Sequence, residues 1–143
     1  MRFLLVDAHS VIFAWPELRA LHRRHTEAAR EQLIARLTAY LDATGTRVVV
    51  VFDGQGKKNT SEKRPSGIQV FYSSSKKTAD DVLERLVAKY ATEHDMTVAS
   101  NDTLVAQTVI TFGGMAISVE SLLEDLARAD ADLARRIRGL RKR

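Results

Sequence analysis

Apolar residues along the chain fall into two kinds of segment. Phe3 to Val6 is a short apolar run, and Arg47 to Phe52 is a β-branched one with four consecutive valines. Neither alternates with polar residues as a half-wetted antiparallel strand would, so both read as parallel strands buried on both faces. Ile68 to Tyr72, Met96 to Ala99 and Met115 to Val119 are weaker runs of the same type. Between them the apolar period lengthens to 3.6 residues. Leu33, Leu37, Tyr40 and Leu41 mark one helical face, Val82, Leu83, Leu86, Val87 and Tyr90 a second, and Leu122, Leu123 and Leu126 a third. Gly45 and the pair Gly113-Gly114 stand where helix C-terminal caps belong. The order strand, helix, strand, loop, strand, helix, strand, helix, strand, helix predicts an α/β domain in which helices cover both faces of a mainly parallel sheet. The one long irregular stretch, Gly54 to Gly67, is rich in turn formers and positive charge and reads as a mobile surface loop.

With 143 residues, 45% of them hydrophobic, the chain suits one domain with a sizeable core. No apolar run approaches the ~18 residues needed to cross a bilayer, and Asp7 interrupts the N-terminus before a signal-peptide core could form. The absence of cysteine excludes a disulfide framework, a thiolate zinc site and a cysteine nucleophile, and it suits a reducing compartment, so a cytoplasmic location is expected. Lys and Arg outnumber Asp and Glu by 22 to 18, a net charge of +4 whose placement matters more than its size. Lys57, Lys58, Lys63 and Arg64 crowd the polar stretch, Lys76 and Lys77 follow, and Arg135, Arg136, Arg138, Arg141, Lys142 and Arg143 crowd the C-terminus. Such clusters are the electrostatic footprint of a polyanion binder, against the plainer reading of a solvated surface. Residues 1–130 are expected to form the domain and 131–143 a basic tail or the end of the last helix. The pattern specifies no oligomeric state.

In an open parallel sheet, ligands bind beyond the carboxyl ends of the strands, where strand order reverses. Asp7 directly follows Phe-Leu-Leu-Val, Asp53 directly follows the valine strand, and Asp102 comes three residues after Ala99. Asp80 and Asp81 open the helix after the third strand, with Glu84 one turn on from Asp80. These acids should converge on one edge of the sheet. Several carboxylates brought together repel one another and retain protons unless a cation neutralises them, and oxygen-only ligands select a hard ion, Mg²⁺ or Mn²⁺. An acidic cluster ringed by basic segments suits phosphodiester hydrolysis. Each acid also has a structural explanation: Asp102 as a helix cap, Thr78 or Asp80 as the cap of the helix they open, and Asp53-Gly54 as a turn. Asp7 is the hardest to explain that way, because it ends a buried strand. Other sites lack support. There is no glycine fingerprint or GxxxxGK[ST] loop, His9, Ser10 and Asp7 are too close along the backbone to be taken for a triad, and His22, His25 and His94 have no metal-ligand spacing.

Five blocks carry a resemblance: Phe-Leu-Leu-Val-Asp7-Ala-His-Ser-Val-Ile-Phe-Ala-Trp15-Pro16-Glu-Leu18, Thr-Arg-Val-Val-Val-Val-Phe-Asp53, Lys-Thr-Ala-Asp80-Asp81-Val-Leu-Glu84-Arg-Leu, Val-Ala-Ser-Asn-Asp102 and Phe112-Gly-Gly-Met-Ala-Ile-Ser118. In order, from Phe3 to about Leu126, they resemble the YacP-like branch of the NYN domain, one of the PIN-like nucleases. The resemblance implies a three-layer α/β/α single domain, carboxylates gathered around Mg²⁺ or Mn²⁺, and internal cleavage of RNA, namely mRNA in association with the ribosome. Carried over block by block, Asp7, Asp80 and Asp102 would be the metal-binding catalytic acids, Asp53 a further site acid, and Glu84 a supporting partner. One departure stands out. The opening motif of that branch usually reads Asp-Gly-Tyr-Asn, and here it is Asp7-Ala8-His9-Ser10, so Ser10 fills the asparagine position and joins the candidate catalytic residues.

The leading expectation is thus a metal-dependent endoribonuclease. Lys57, Lys58, Lys63, Arg64, Lys76, Lys77 and the basic terminus would hold the RNA backbone. The replacement at Ser10 motivates an alternative, a catalytically weakened RNA- or ribosome-binding module of the same fold. A DNA nuclease would use identical chemistry, since no residue visible in the sequence senses a 2′-hydroxyl.

Overall fold

The computed structural model describes all residues except 55, 57, 58, 76, 77, 142 and 143. Strand β1 (Arg2–Asp7) leads into three consecutive helices, α1 (Ala8–Ala14), α2 (Pro16–Arg24) and α3 (Thr26–Thr44). The chain continues through β2 (Arg47–Phe52), β3 (Thr60–Lys63), β4 (Gln69–Tyr72), α4 (Ala79–Tyr90), β5 (Asp95–Ala99), α5 (Thr103–Thr111), β6 (Met115–Ile117) and α6 (Val119–Arg141). The sheet order is β3-β4-β2-β1-β5-β6, and every pairing is parallel except that of β3 with β4.

The unbroken apolar strands are buried on both faces, as their lack of alternation requires. Leu4, Val6, Val48, Val50 and Phe52 point into a core closed by Leu33 and Leu37 of α3 and Leu122 and Leu126 of α6. Leu5, Val49, Val51 and Val98 point to the other side, where Val82, Leu83 and Val87 of α4 and Val105 and Val109 of α5 cover them. The result is a three-layer α/β/α domain with a mainly parallel sheet.

Three readings of the sequence need correction. The stretch from Gly54 to Gly67 is not wholly irregular: Thr60–Lys63 forms an antiparallel edge strand against β4. All four of its residues are exposed, so it carries no apolar signal. The segment between β1 and α3 holds two further helices, separated at Trp15 because Pro16, which lacks an N–H, can open a helix but not continue one. The last strand stops at Ile117, and Val119 belongs to the buried face of α6. Gly45 closes α3 in the left-handed conformation, with φ 72° and its N–H on the Leu41 carbonyl.

Candidate active site

Strand register sets out the site. Asp7 lies opposite Val51, Phe52 opposite Tyr72, and Val6 opposite Ala99, so β4, β2, β1 and β5 end nearly level. One step past those ends stand Ser73, Asp53 and Ser100, beside the terminal Asp7. In sheet order this gives a polar row of Ser73, Asp53, Asp7 and Ser100 along the carboxyl edge. Helices α1, α4 and α5 begin at the same edge and aim their N-terminal N–H groups into it.

Asp7 is 4% exposed and anchors the row. Its Oδ2 accepts hydrogen bonds from Ser10 Oγ at 2.7 Å and Ser100 Oγ at 3.0 Å, and its Oδ1 accepts the Ser10 N–H at 3.4 Å as the N-cap of α1. The two serines are themselves braced by backbone donors. Ser100 Oγ accepts the Asp102 N–H at 3.1 Å and Ser10 Oγ the Asn101 N–H at 3.5 Å. Asn101 in turn fastens α6 through its Oδ1, which accepts the Val119 N–H at 3.0 Å. A buried carboxylate with three donors on it is held in one orientation.

Asp102 caps α5, its Oδ1 accepting the N–H groups of Leu104 at 2.9 Å and Val105 at 3.4 Å. Asp53 acts across the sequence: its Oδ1 accepts the Ala79 N–H at 2.9 Å, at the start of α4, and the Ser73 hydroxyl at 3.5 Å. The adjoining Gly54 is required there, since a Cβ would stand 2.2 Å from the Ser73 carbonyl oxygen. The structural explanations for Asp53 and Asp102 therefore hold. The caps that stabilise the helices also draw the carboxylates to one place, and the positive helix ends partly offset their repulsion.

Asp80 and Asp81 divide two tasks. Asp81 completes a capping box with Thr78, the side chain of each bonded to the backbone N–H of the other at 3.2 and 3.3 Å. Asp80, one position earlier on α4, faces the other acids. Its partial burial, the charges of Asp7 and Asp102, a hydrogen bond with Asp102 and the charge of Asp53 push its pKa up to about 6. All three other acids thus act on Asp80. Glu84, half-buried one turn further along α4, forms no hydrogen bond or ion pair among the described residues. Also among the described residues, no three His, Asp or Glu side chains form a ready-made coordination cluster. Both oxygens of Asp7 are engaged with hydroxyl or N–H donors, whereas the N–H donors on Asp102 all meet its Oδ1.

A cavity of about 440 Å³ adjoins the row, lined by Thr26, Arg30, Asp53, Gly54, Tyr72 and Ser73 among others. The Arg30 guanidinium lies over the Phe52 and Tyr72 rings at 5.2 and 5.9 Å and donates to the Asp53 carbonyl at 3.3 Å. A larger cavity of about 610 Å³ sits at the opposite, amino end of the strands beside Arg2, Phe3 and Asp95, away from the row. Reading the sequence missed Ser73, Ser100 and Arg30. The two serines carried a signal, since each directly follows a strand, but Arg30 had none, because nothing in an amphipathic helix marks the residue that will lean over the sheet edge.

Of the expected RNA-contacting residues, Lys63 is exposed on β3. Arg64 instead makes a two-pronged ion pair with Glu31 of α3, at 2.8 and 3.2 Å, and a further bond to Glu62 at 2.9 Å. Lys57, Lys58, Lys76 and Lys77 lie outside the described residues.

Residues 4–143 match the model of the YacP-like NYN domain. The chain is 32% identical over 142 residues to the uncharacterized protein YacP of Bacillus subtilis (strain 168), covering 96% of this chain and 82% of that one. Its fold is similar to the crystal structure of Rae1 (YacP) from Bacillus subtilis, with a TM-score of 0.83 and 31% identity over 98% of this chain and 82% of that one. The corresponding values for a tryptophan-to-leucine variant of that protein are 0.85 and 29%, over 99% and 85%. With its nuclease-type fold and its carboxylates at the sheet edge, the chain belongs to the YacP-like NYN domain family.

Proposed function

We propose that the chain is a metal-dependent endoribonuclease whose active site is the acid row, with mRNA on the ribosome as the setting that its family resemblance implies. The observation that carries this reading is the gathering of four carboxylates, from β1, β2, α4 and α5, at one edge. Burial, and after it the charges of the other three, lifts the pKa of Asp80 to about 6. Evolving such a cluster for stability alone makes little physical sense, since it weakens the fold at neutral pH.

The donor set fits a hard divalent cation. It is oxygen-only, carries several negative charges, and includes a proton that a cation would displace. Asp7, Asp80 and Asp102 would hold Mg²⁺ or Mn²⁺, with Asp53 beside them. The ion supplies Lewis acidity toward water and neutralises the scissile phosphate. The protein's own groups do the rest. Ser10 and Ser100 orient Asp7, the α5 N-terminus orients Asp102, and the Ala79 N–H orients Asp53. Arg30 beside Asp53 offers a cation to an RNA phosphate on the flank of the row. Ser10 donates to Asp7 and accepts from Asn101, so the position keeps both a donor and an acceptor, and this favours an enzyme over a weakened binding module.

Purified protein incubated with labelled single-stranded RNA and DNA, with Mn²⁺ or with EDTA, tests the reading. Cleavage of RNA that depends on Mn²⁺ is expected. Binding of RNA without cleavage under either condition would favour the binding module, and equal cleavage of DNA would widen the substrate class.

A further inference from the structure

Beside the acid row the surface carries three aromatic rings that the core does not use. Helix α1 turns Ala8, Val11 and Ile12 inward, which leaves His9 and Phe13, one turn apart, on its outer side. Their ring centroids are 4.4 Å apart with planes inclined at 33°, and the half-buried His22 of α2 makes an edge-type contact with Phe13 at 5.5 Å and 60°. Phe13 remains 43% exposed despite both neighbours.

The three rings lie on the two helices that follow Asp7. His9 is two residues from Asp7. Past His22, the Thr26 hydroxyl donates to the His22 carbonyl at 3.3 Å, and Thr26 and Arg30 line the cavity beside Asp53. Arg23 and Arg24 are exposed next to His22. Flat faces with adjacent cations, leading between two points of an acid site, match a single strand with splayed bases: bases stack on the rings while phosphates follow the arginines. A duplex would keep its bases paired away from such a surface.

We propose that His9, Phe13 and His22 form a base-stacking platform that feeds unpaired RNA into the acid row, with the Arg30 cavity at its far end. The proposal rests on the reading of the row as an RNA-cleaving site and deepens it by naming the residues that would hold the bases. Phe13 is the residue to vary, because it is central to the platform and exposed. Stacking on one ring corresponds to roughly a tenfold change in affinity.

The experiment measures affinity in EDTA for a fluorescent single-stranded RNA and for an abasic strand of equal length, using wild type, Phe13→Leu and Phe13→Trp, with melting temperatures to verify folding. Mn²⁺-dependent cleavage is followed in parallel. Phe13→Leu should bind the base-bearing RNA about tenfold more weakly, Phe13→Trp should bind it at least as well as wild type, and all three should bind the abasic strand alike. Equal affinity of wild type and Phe13→Leu for base-bearing RNA would overturn the platform, as would equal affinity of wild type for both strands. Ring-dependent binding in a protein that never cleaves would keep the platform and remove the nuclease reading. Cleavage without ring dependence would do the reverse.

Discussion

Asp80 is the least settled carboxylate of the row, and its proton has a consequence for stability. Its pKa is about 6 in the folded protein against an ordinary value of 3.8, so between those values the folded state binds the proton and the unfolded state does not. Stability therefore falls as pH rises from about 4 to about 6, and the destabilisation is fully present above 6. Asp80→Asn should melt at a higher temperature than wild type at pH 8 without divalent cation, with the gap narrowing toward pH 4.5; a variant that melts lower at pH 8 would contradict the repulsion. Adding Mn²⁺ at pH 8 should raise the melting temperature of wild type more than that of the variant. Ser10 gives a second test. Ser10→Ala leaves Asp7 without its 2.7 Å donor and should slow cleavage by about tenfold or more, whereas Ser10→Asn can restore both contacts and should keep the rate. The positions of Asp7 and Asp53 were legible in the sequence because a carboxylate directly after an apolar strand has little choice of place. Which of Asp80 and Asp81 faces the row was not, because it depends on the rotation of α4, fixed by the Thr78 capping box.

Among the elements, those with long apolar stripes or unbroken β-branched runs were readable, since burial on two faces leaves no other pattern. Helices α1 and α2, of seven and nine residues, are too short to display a period, and β3 is paired through its backbone with only exposed side chains. The anchoring of β3 explains why Lys63 and Arg64, adjacent in sequence, should behave differently. Lys63→Ala should lower the magnitude of the log affinity against log salt slope for single-stranded RNA by about 0.7 if it meets a phosphate. Arg64→Ala should leave that slope nearly unchanged and cost stability, on the order of 0.5–1 kcal/mol, by releasing β3 from Glu31. A reversal of the two outcomes, read from salt titrations and denaturant unfolding, would mean that Arg64 reaches the RNA. At the β2 end, Gly54→Ala forces a Cβ into the Ser73 carbonyl and should destabilise by about 1–3 kcal/mol while displacing Asp53.

Across the whole molecule the charge is clustered. Acids gather where the parallel strands end, and arginines 135, 136, 138 and 141 lie along the outer part of α6, a helix tied to α3 by the ion pair of Arg36 with Asp130 at 3.0 Å. No helix among the described residues is long and apolar enough to cross a membrane. The parallel topology brings helix N-termini and strand ends to the same edge, so the carboxylates that cap the helices are the ones the proposed cleavage would use. The account stands most directly on a paired measurement, cleavage rate and RNA affinity for wild type and Asp7→Asn in the same salt and Mn²⁺. The account predicts that Asp7→Asn loses cleavage by several orders of magnitude while binding RNA as tightly as wild type or more so, since a negative charge facing the phosphates has gone. Undiminished cleavage by Asp7→Asn would contradict it.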